Sequence, residues 1–379
     1  MQSGISDYSE LLVYGLRDYY DITLLIDNYP LANKKLSDDF KVLKFKKKLN
    51  YSKYDQVIYN IGNNPHYHSY IYGLAIKQPG IVILHDFVLY YLFVGYYAKQ
   101  NNLYAKIYEQ EGSRGIHLLK RCVKKNPDLL ECKEIAPQLP LNNEILSRAA
   151  GIVVHSEFTK KLVEERCPGA RVYKINMVSM ASSPGTDGAE YLKTRYGIGD
   201  DAIVIGSFGY IASTKLNHIV CDVVKELSQS LGREVYYLMV GEGDYVDHEL
   251  GGTIIKSGYI AKDAYEAILN RCDIVANLRY PSMGETSISL IHAMGMGKPC
   301  LVSNDAWFAE LPDDAVVKVD TADARKDLIQ KLSNLVQNPA DRMRYARNAC
   351  EYVRAQHSIQ HIAASVRAIL QQHCREVKR

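Results

Sequence analysis

At 379 residues, 47% of them apolar, the chain exceeds what one ordinary core holds and suits two α/β domains of roughly 200 residues or fewer each. A formal net charge of +3 creates no global basic field, and neither a zinc finger nor an Arg-rich arm is present, so nucleic acid is excluded as a partner class. No apolar run reaches about 18 residues and MQSGISDYSE has neither a charged nor an apolar leader region, which predicts a cytoplasmic protein, soluble or peripheral at the inner face of a membrane.

Residues 1–180 alternate short apolar runs with amphipathic ones. DITLLIDN (21–28), YDQVIYNIGN (54–63), GIVILHD (80–86), GIVVHSE (151–157) and RVYKINM (171–177) read as parallel strands buried on both faces, with functional loops at their C-terminal ends. Between the first two, Lys34, Lys35, Lys41, Lys44, Lys46, Lys47 and Lys48 crowd together, and Lys120, Arg121, Lys124 and Lys125 form a second group. They read either as a solvated face or as attraction to an anionic membrane, where each nearby cation adds roughly 1 kcal/mol. FVLYYLFVGYYAKQNNLYAKIYEQ (87–110) is helical in period and rich in tyrosine, either a core helix or an acceptor-facing or lipid-facing surface. Eight scattered cysteines, with no CxxC pair and no metal-like His/Cys cluster, predict reduced packing thiols.

ASSPGTDGAE (181–190) has the composition of a linker, and a second α/β series follows over 181–350. Its strands are AIVIGSFGY (202–210), EVYYLMVGEG (234–243), GTIIKSGYI (252–260), CDIVANLRYP (272–281), KPCLVSND (298–305) and AVVKVD (315–320). The remainder, 351–379, reads as a C-terminal helix packing back towards the first domain and ending in an exposed basic tail, HCREVKR. The fold class is therefore two doubly wound, Rossmann-like α/β domains facing across a cleft.

Three strand ends of the second series carry candidate chemistry. GETSISLIHAMGMGKP (284–299) places Thr286 and Ser287 where a strand-to-helix turn exposes backbone N–H groups, so the positive end of the helix suits a phosphate, although an N-cap alone also explains these residues. In SFGYIASTKLNH (207–218), a loop opening with Gly209 puts Lys215 near a helix start; a bound anion would relieve its conflict with the dipole, and a lysine pointing to water is the plainer alternative. Gly241 and Gly243, in GEGD, would let a nucleotide approach the backbone. In the first series His85 and His155 end buried strands, where a structural hydrogen bond is the plainer role. Trp307 reads as a loop anchor.

The order FGYIASTK, LMVGEGD, SGYI, CDIVANLRYPSMGETS, LIHAMGMGKPCLVSND and WFAELPD resembles the nucleotide-binding domain of retaining glycosyltransferase family 4, glycosyl transferases group 1, whose fold is GT-B. SGISDYSELL, PGIVILHD and VHSEFTKKLV are similar to its acceptor-side segments. The resemblance implies transfer of a hexose from a UDP- or GDP-linked donor to a glycan or lipid-linked acceptor with retention of configuration, as in bacterial surface polysaccharide or glycoconjugate synthesis. It implies that Lys215 binds the diphosphate and that Glu285, Thr286, Ser287 and Ile288 contact phosphate and sugar. By the same resemblance His85 lies near the transferred sugar, Gly4 sits in a loop closing over the diphosphate, and Asp86 and Tyr90 lie on the acceptor side. His85, Lys215 and Glu285 are its catalytic candidates, and no cofactor or obligatory metal is implied.

The chain departs from the family pattern in three places. His292 occupies the position of a ribose-binding glutamate and Gly284 that of a glutamate eight positions earlier, with an acid next door at Glu285. Seven residues apart, Glu285 and His292 would share a face of a continuous helix. No arginine shortly precedes Lys215, leaving diphosphate charge to Lys215, the helix start and Arg279. Thirdly, a strand normally precedes the Gly4 loop, which predicts a weaker first domain. Asp38-Asp39, Asp200-Asp201 and Asp313-Asp314 read as surface doublets rather than metal ligands. A sugar-nucleotide epimerase, a phosphorylase, or a catalytically silent homologue steadying a partner transferase are the competing readings.

Overall fold

The computed structural model describes residues 4–27, 30–31, 33–45, 50–180 and 187–377. Lys46, Lys47, Lys48, most of the expected linker (181–186) and the last two residues of the basic tail lie outside the described residues. By its contacts the chain divides into two compact units: Met1–Met177 with Met283–Thr286 and Ile359–Arg379, and Val178–Ser282 with Ser287–Ser358.

The first unit opens with α1 (Gly4–Leu16), which buries Tyr8, Leu12 and Leu16 because a four-residue spacing keeps them on one helical face. β1 (Thr23–Ile26) pairs in parallel with β2 (Lys41–Lys44), which follows α2 (Lys35–Asp39), and the two form a sheet of their own. β2 was hidden in the lysine cluster: only Val42 and Leu43 turn inward, between two exposed lysines. The larger sheet is β3 (Ile58–Ile61), β4 (Ile81–Leu84), β5 (Gly151–Val154) and β6 (Val172–Lys174), parallel and in that order. Its crossovers are α3 (Pro65–Ala75), then α4 (Tyr90–Tyr97), α5 (Leu103–Lys125) and α6 (Asn143–Arg148), and lastly α7 (Glu157–Arg166). Asn64 caps α3 ahead of Pro65, and Ser156 caps α7 by accepting from the Thr159 amide.

The tyrosine-rich segment is two helices rather than one, since Asn101 takes a left-handed conformation (φ 55°) after α4 and α5 restarts at Leu103. α4 is core, burying Tyr90, Leu92, Phe93, Val94 and Tyr97, whereas Tyr104 and Tyr108 of α5 are exposed. Cys122 and Cys132 form a disulfide, which corrects the expectation that all the cysteines are reduced: the turn after α5 brings Cys132 back with its Cα 6.2 Å from that of Cys122.

The second unit runs α8 (Gly188–Tyr196), β7 (Ile203–Phe208), α9 (Asn217–Ser230), β8 (Val235–Val240), β9 (Ile254–Gly258), α10 (Lys262–Arg271), β10 (Ile274–Asn277), α11 (Ile288–Gly295), β11 (Cys300–Ser303), α12 (Ala306–Ala309), β12 (Val317–Val319), α13 (Ala324–Gln337) and α14 (Pro339–Gln356). Its six strands form one parallel sheet in the order β12-β11-β10-β7-β8-β9. Strands β7, β8, β10 and β11 are wholly or almost wholly apolar and buried, as a sheet covered on both faces requires. The order reverses between β7 and β10, the topological switch point at which ligands of such sheets bind.

The last helix, α15 (Ile359–Val377), belongs to the first unit and packs on α1. A Cβ on Gly15 would stand 2.9 Å from the Ile359 side chain, so glycine permits the close approach. The C-terminal tail is not wholly exposed: His373 is buried, with its Nδ1 3.5 Å from where a Gly151 Cβ would stand in β5.

Candidate functional site

The second unit assembles its candidate residues at the C-terminal ends of β7, β8 and β10. Beyond β7, the chain turns at Gly209 (φ 95°) into a 3₁₀ turn, Ser213–Lys215, and α9 begins two residues later. Lys215 folds back, its Nζ donating to the Phe208 carbonyl at 3.0 Å. Leu216 between them is left-handed (φ 53°), an uncommon conformation for a branched side chain and a cost accepted where geometry is over-determined by its surroundings. Behind the turn lies a buried polar network: Tyr237 Oη donates to Ser207 Oγ at 2.9 Å, and Asn217 Nδ2 to Tyr237 Oη at 2.7 Å. It fixes the start of α9 against the end of β7.

Gly241 and Gly243 have a different task from the one expected. A Cβ on Gly241 would overlap the Gly209 carbonyl oxygen, and one on Gly243 the Ile211 carbonyl oxygen. The space is filled by the protein's own backbone, since the Gly209 amide donates to Val240 at 2.9 Å and the Ile211 amide to Glu242 at 2.6 Å. These glycines lock the loop carrying Lys215.

At the end of β10, the Arg279 amide donates to Ser303 Oγ at 2.8 Å and Asn277 Nδ2 to Ser289 Oγ at 3.4 Å. Ser287 is the N-cap of α11, accepting from the Leu290 amide at 3.2 Å, so Ile288 opens the helix. Glu285 therefore lies outside the helix and shares no helical face with His292, which corrects that expectation. Its Oε2 accepts from the Met283 amide at 2.6 Å, while Thr286 Oγ1 is buried without a hydrogen-bond partner. His292 is buried, stacks on Tyr265 (6.1 Å between centroids) and bonds the Met180 backbone; burial holds its pKa below the usual value, opposed by nearby Glu266.

Met283–Thr286 belongs to the first unit through bonds that the sequence did not disclose. The Phe87 and Val88 amides both donate to the Met283 carbonyl at 3.0 Å, and Thr159 Oγ1 donates to the Gly284 carbonyl at 2.8 Å. Gly284 is left-handed (φ 77°), and a Cβ there would overlap Phe87. Thr159 lies in VHSEFTKKLV and Phe87 opens the tyrosine-rich segment, but neither pattern discloses a bond to a residue more than 100 positions away.

His85, directly after β4, is 5% exposed, and its Nε2 lies 3.0 Å from Asn60 Oδ1. Burial, reinforced by His155 and His68, holds its pKa well below the ordinary value, so it is neutral at pH 7. Asp86 Oδ2 accepts from the Asn63 amide at 2.8 Å. Tyr90 is a correction: it is fully buried and its hydroxyl donates to the Leu129 carbonyl at 2.9 Å, so it faces the core and not an acceptor. Gly4 is also placed otherwise than expected, as the exposed first residue of α1 and not in a loop. Trp307 is buried edge-on to Phe308.

A family model described as glycosyl transferase-like matches residues 221–368. No curated protein sequence matches the chain. Among solved structures, the chain is similar to Anabaena HepE in complex with UDP-glucose, with 16% identity, a TM-score of 0.65, and coverage of 98% of this chain and 97% of that one. It is similar to sucrose-phosphate synthase from Thermosynechococcus elongatus, with 14% identity, a TM-score of 0.64, and coverage of 96% and 92%. A third likeness is to WaaG, a glycosyltransferase involved in lipopolysaccharide biosynthesis, with 12% identity, a TM-score of 0.62, and coverage of 98% and 96%. The fold is that of the GT-B glycosyltransferases, two Rossmann-like α/β units, the first with a four-stranded and a two-stranded parallel sheet and the second with one six-stranded parallel sheet.

Proposed function

We propose that the chain is a retaining glycosyltransferase of family 4 that moves a hexose from a nucleotide-diphosphate sugar to a glycan or lipid-linked acceptor. The observation that carries this reading is the turn after β7, where Lys215 is held by the Phe208 carbonyl immediately before α9, at the switch point of the parallel sheet. The fold-level likeness to a protein solved with UDP-glucose supports a UDP-linked donor, with a GDP-linked one the alternative.

Departure of a nucleoside diphosphate builds negative charge on the leaving phosphate. A fixed ammonium and helix N-terminal amides lower the barrier most when they stand where that charge develops. Lys215 serves as the ammonium, and the first amides of α9 and α11 as the dipoles, with Arg279 as the second cation. Gly209 and Gly241 hold the loop that aims Lys215. Glu285, Thr286, Ser287 and Ile288 contact phosphate and sugar, and neutral His85 takes a hydroxyl of the transferred sugar. His292, buried against Tyr265, shapes the ribose side by packing. In the retaining reaction the acceptor oxygen attacks the anomeric carbon from the leaving-group side, the bond to the β-phosphate breaks, and that phosphate takes the acceptor proton. No enzyme nucleophile is needed.

Lys120, Arg121, Lys124 and Lys125 are exposed on α5 within a stretch of chain without acids from Arg114 to Lys125, Lys125 pairing with Glu134 at 3.6 Å, and the cluster supports a peripheral hold on an anionic membrane near lipid-linked acceptors. Among the described residues no helix is long and apolar enough to cross a membrane. Incubation with a panel of nucleotide sugars, watching for slow hydrolysis and for transfer to added acceptors, tests the reading. Release of UDP or GDP that depends on Lys215 supports it, and release unchanged in Lys215→Ala overturns the site assignment.

A further inference from the structure

Tyr8, on α1, and His85, at the end of β4, meet edge to face with ring centroids 4.9 Å apart, and both lean on His155 at 5.1 Å. Each presents a buried polar atom without a hydrogen-bond partner: the Tyr8 hydroxyl and His85 Nδ1. Their chemistry defines what is missing. Asn60 Oδ1 can only accept, so the Nε2 bonded to it carries the ring proton, and the neutral imidazole leaves Nδ1 as a bare acceptor. The Tyr8 hydroxyl is a donor as well as an acceptor. A group that donates to Nδ1 while accepting from a phenol is itself a hydroxyl. Buried polar atoms are otherwise nearly always paired, so two orphans on touching rings call for one shared explanation.

We propose that Tyr8 and His85 form a two-point binding site for one hydroxyl of the transferred sugar, which makes Tyr8 a substrate-binding residue contributed by α1. This rests on the glycosyltransferase reading. Tyr8 is fully buried while Ile5, Ser6 and Asp7 on the first turn of α1 are half-buried, and the proposed binding requires the sugar to enter on that side. A resident water offers the same chemistry, and the experiment separates the two sources.

The test uses the full chain, wild type and Tyr8→Phe, with UDP-glucose, UDP-galactose and GDP-mannose as separate donors and thermal unfolding as a control. For whichever donor the wild type consumes, Tyr8→Phe is expected to lower kcat/KM about tenfold, the loss of one hydrogen bond, with an unchanged or higher unfolding midpoint. A set of deoxy analogues of that donor should contain one whose penalty is about tenfold smaller with Tyr8→Phe than with wild type, the remainder being the bond to His85, a coupling that a purely structural tyrosine would not produce. Unchanged kcat/KM in Tyr8→Phe overturns the proposal, and if the midpoint also falls, the hydroxyl binds a resident water. A wild type that neither binds nor consumes any nucleotide sugar overturns the glycosyltransferase reading itself, whereas an active wild type with an indifferent Tyr8→Phe overturns only this inference.

Discussion

Replacing Gly241 by alanine probes the claim that glycines at the strand ends serve the Lys215 loop and not the ligand directly. The backbone there has φ 153°, a region that L residues rarely adopt, and the new Cβ would overlap the Gly209 carbonyl oxygen. Neither backbone can yield cheaply, because the Gly209 amide is bonded to Val240 and the Ile211 amide to Glu242 across the same two loops. A rare backbone conformation costs about 1–3 kcal/mol and each lost hydrogen bond about 1 kcal/mol, so Gly241→Ala should destabilise the second unit by about 2–4 kcal/mol. Urea unfolding at equilibrium measures this, read with the single tryptophan, Trp307, which lies buried in that unit. UDP binding, followed by calorimetry at a temperature where the variant stays folded, should weaken as the loop shifts Lys215. A stability change below about 0.5 kcal/mol, within the range of ordinary surface substitutions, would refute the backbone-packing argument.

Lys215→Ala should reduce turnover at least tenfold, about 1.4 kcal/mol of transition-state stabilisation, while leaving the thermal midpoint nearly unchanged. Steady-state kinetics beside a melting curve checks both. Ser287→Ala removes the N-cap of α11 and should cost about 1 kcal/mol in urea unfolding, with weaker donor binding by calorimetry. For pH, buried His68 is pushed down to about 4 by desolvation, against an ordinary value of 6.5. The unfolded chain therefore binds a proton in that interval which the folded chain refuses. The contribution, about 3 kcal/mol, is fully present above pH 6.5 and is lost as the pH falls towards 4. Stability measured from pH 7 to 4.5 should fall less steeply in His68→Gln than in wild type; parallel slopes would contradict the assignment.

Much of this architecture was legible because parallel strands buried on both faces appear as continuous apolar runs, and IVIL, GIVV, IVIGSF and VYYLMV all form such strands. β2 was not legible, since KVLK is two half-buried residues between exposed lysines in a cluster that reads as charge. Nor was the break at Asn101, where a single left-handed residue interrupts a helical period. In the site, local pattern placed Lys215 ahead of α9 and Ser287 at a helix cap, because both follow from strand-to-helix grammar. For Tyr90 the core-helix alternative read from the pattern holds and the acceptor-side role implied by the resemblance does not, its hydroxyl being bonded to the Leu129 carbonyl 39 residues away; and the pattern linked Glu285 to His292 through a helix that begins only at Ile288. Long-range bonds, such as that from Thr159 to Gly284 across 125 residues, leave no periodicity to read. The orphaned pair of Tyr8 and His85 belongs to the same class, since only the folded chain brings α1 to the end of β4.

The central claim is that the turn after β7 grips a nucleotide diphosphate through Lys215. Calorimetric titration of UDP and of GDP into the wild type and into Lys215→Ala tests it most directly. The account predicts that one of the two nucleotides binds the wild type and that the variant binds it at least tenfold more weakly; no binding of either nucleotide by folded wild-type protein, or equal binding by the variant, would contradict it.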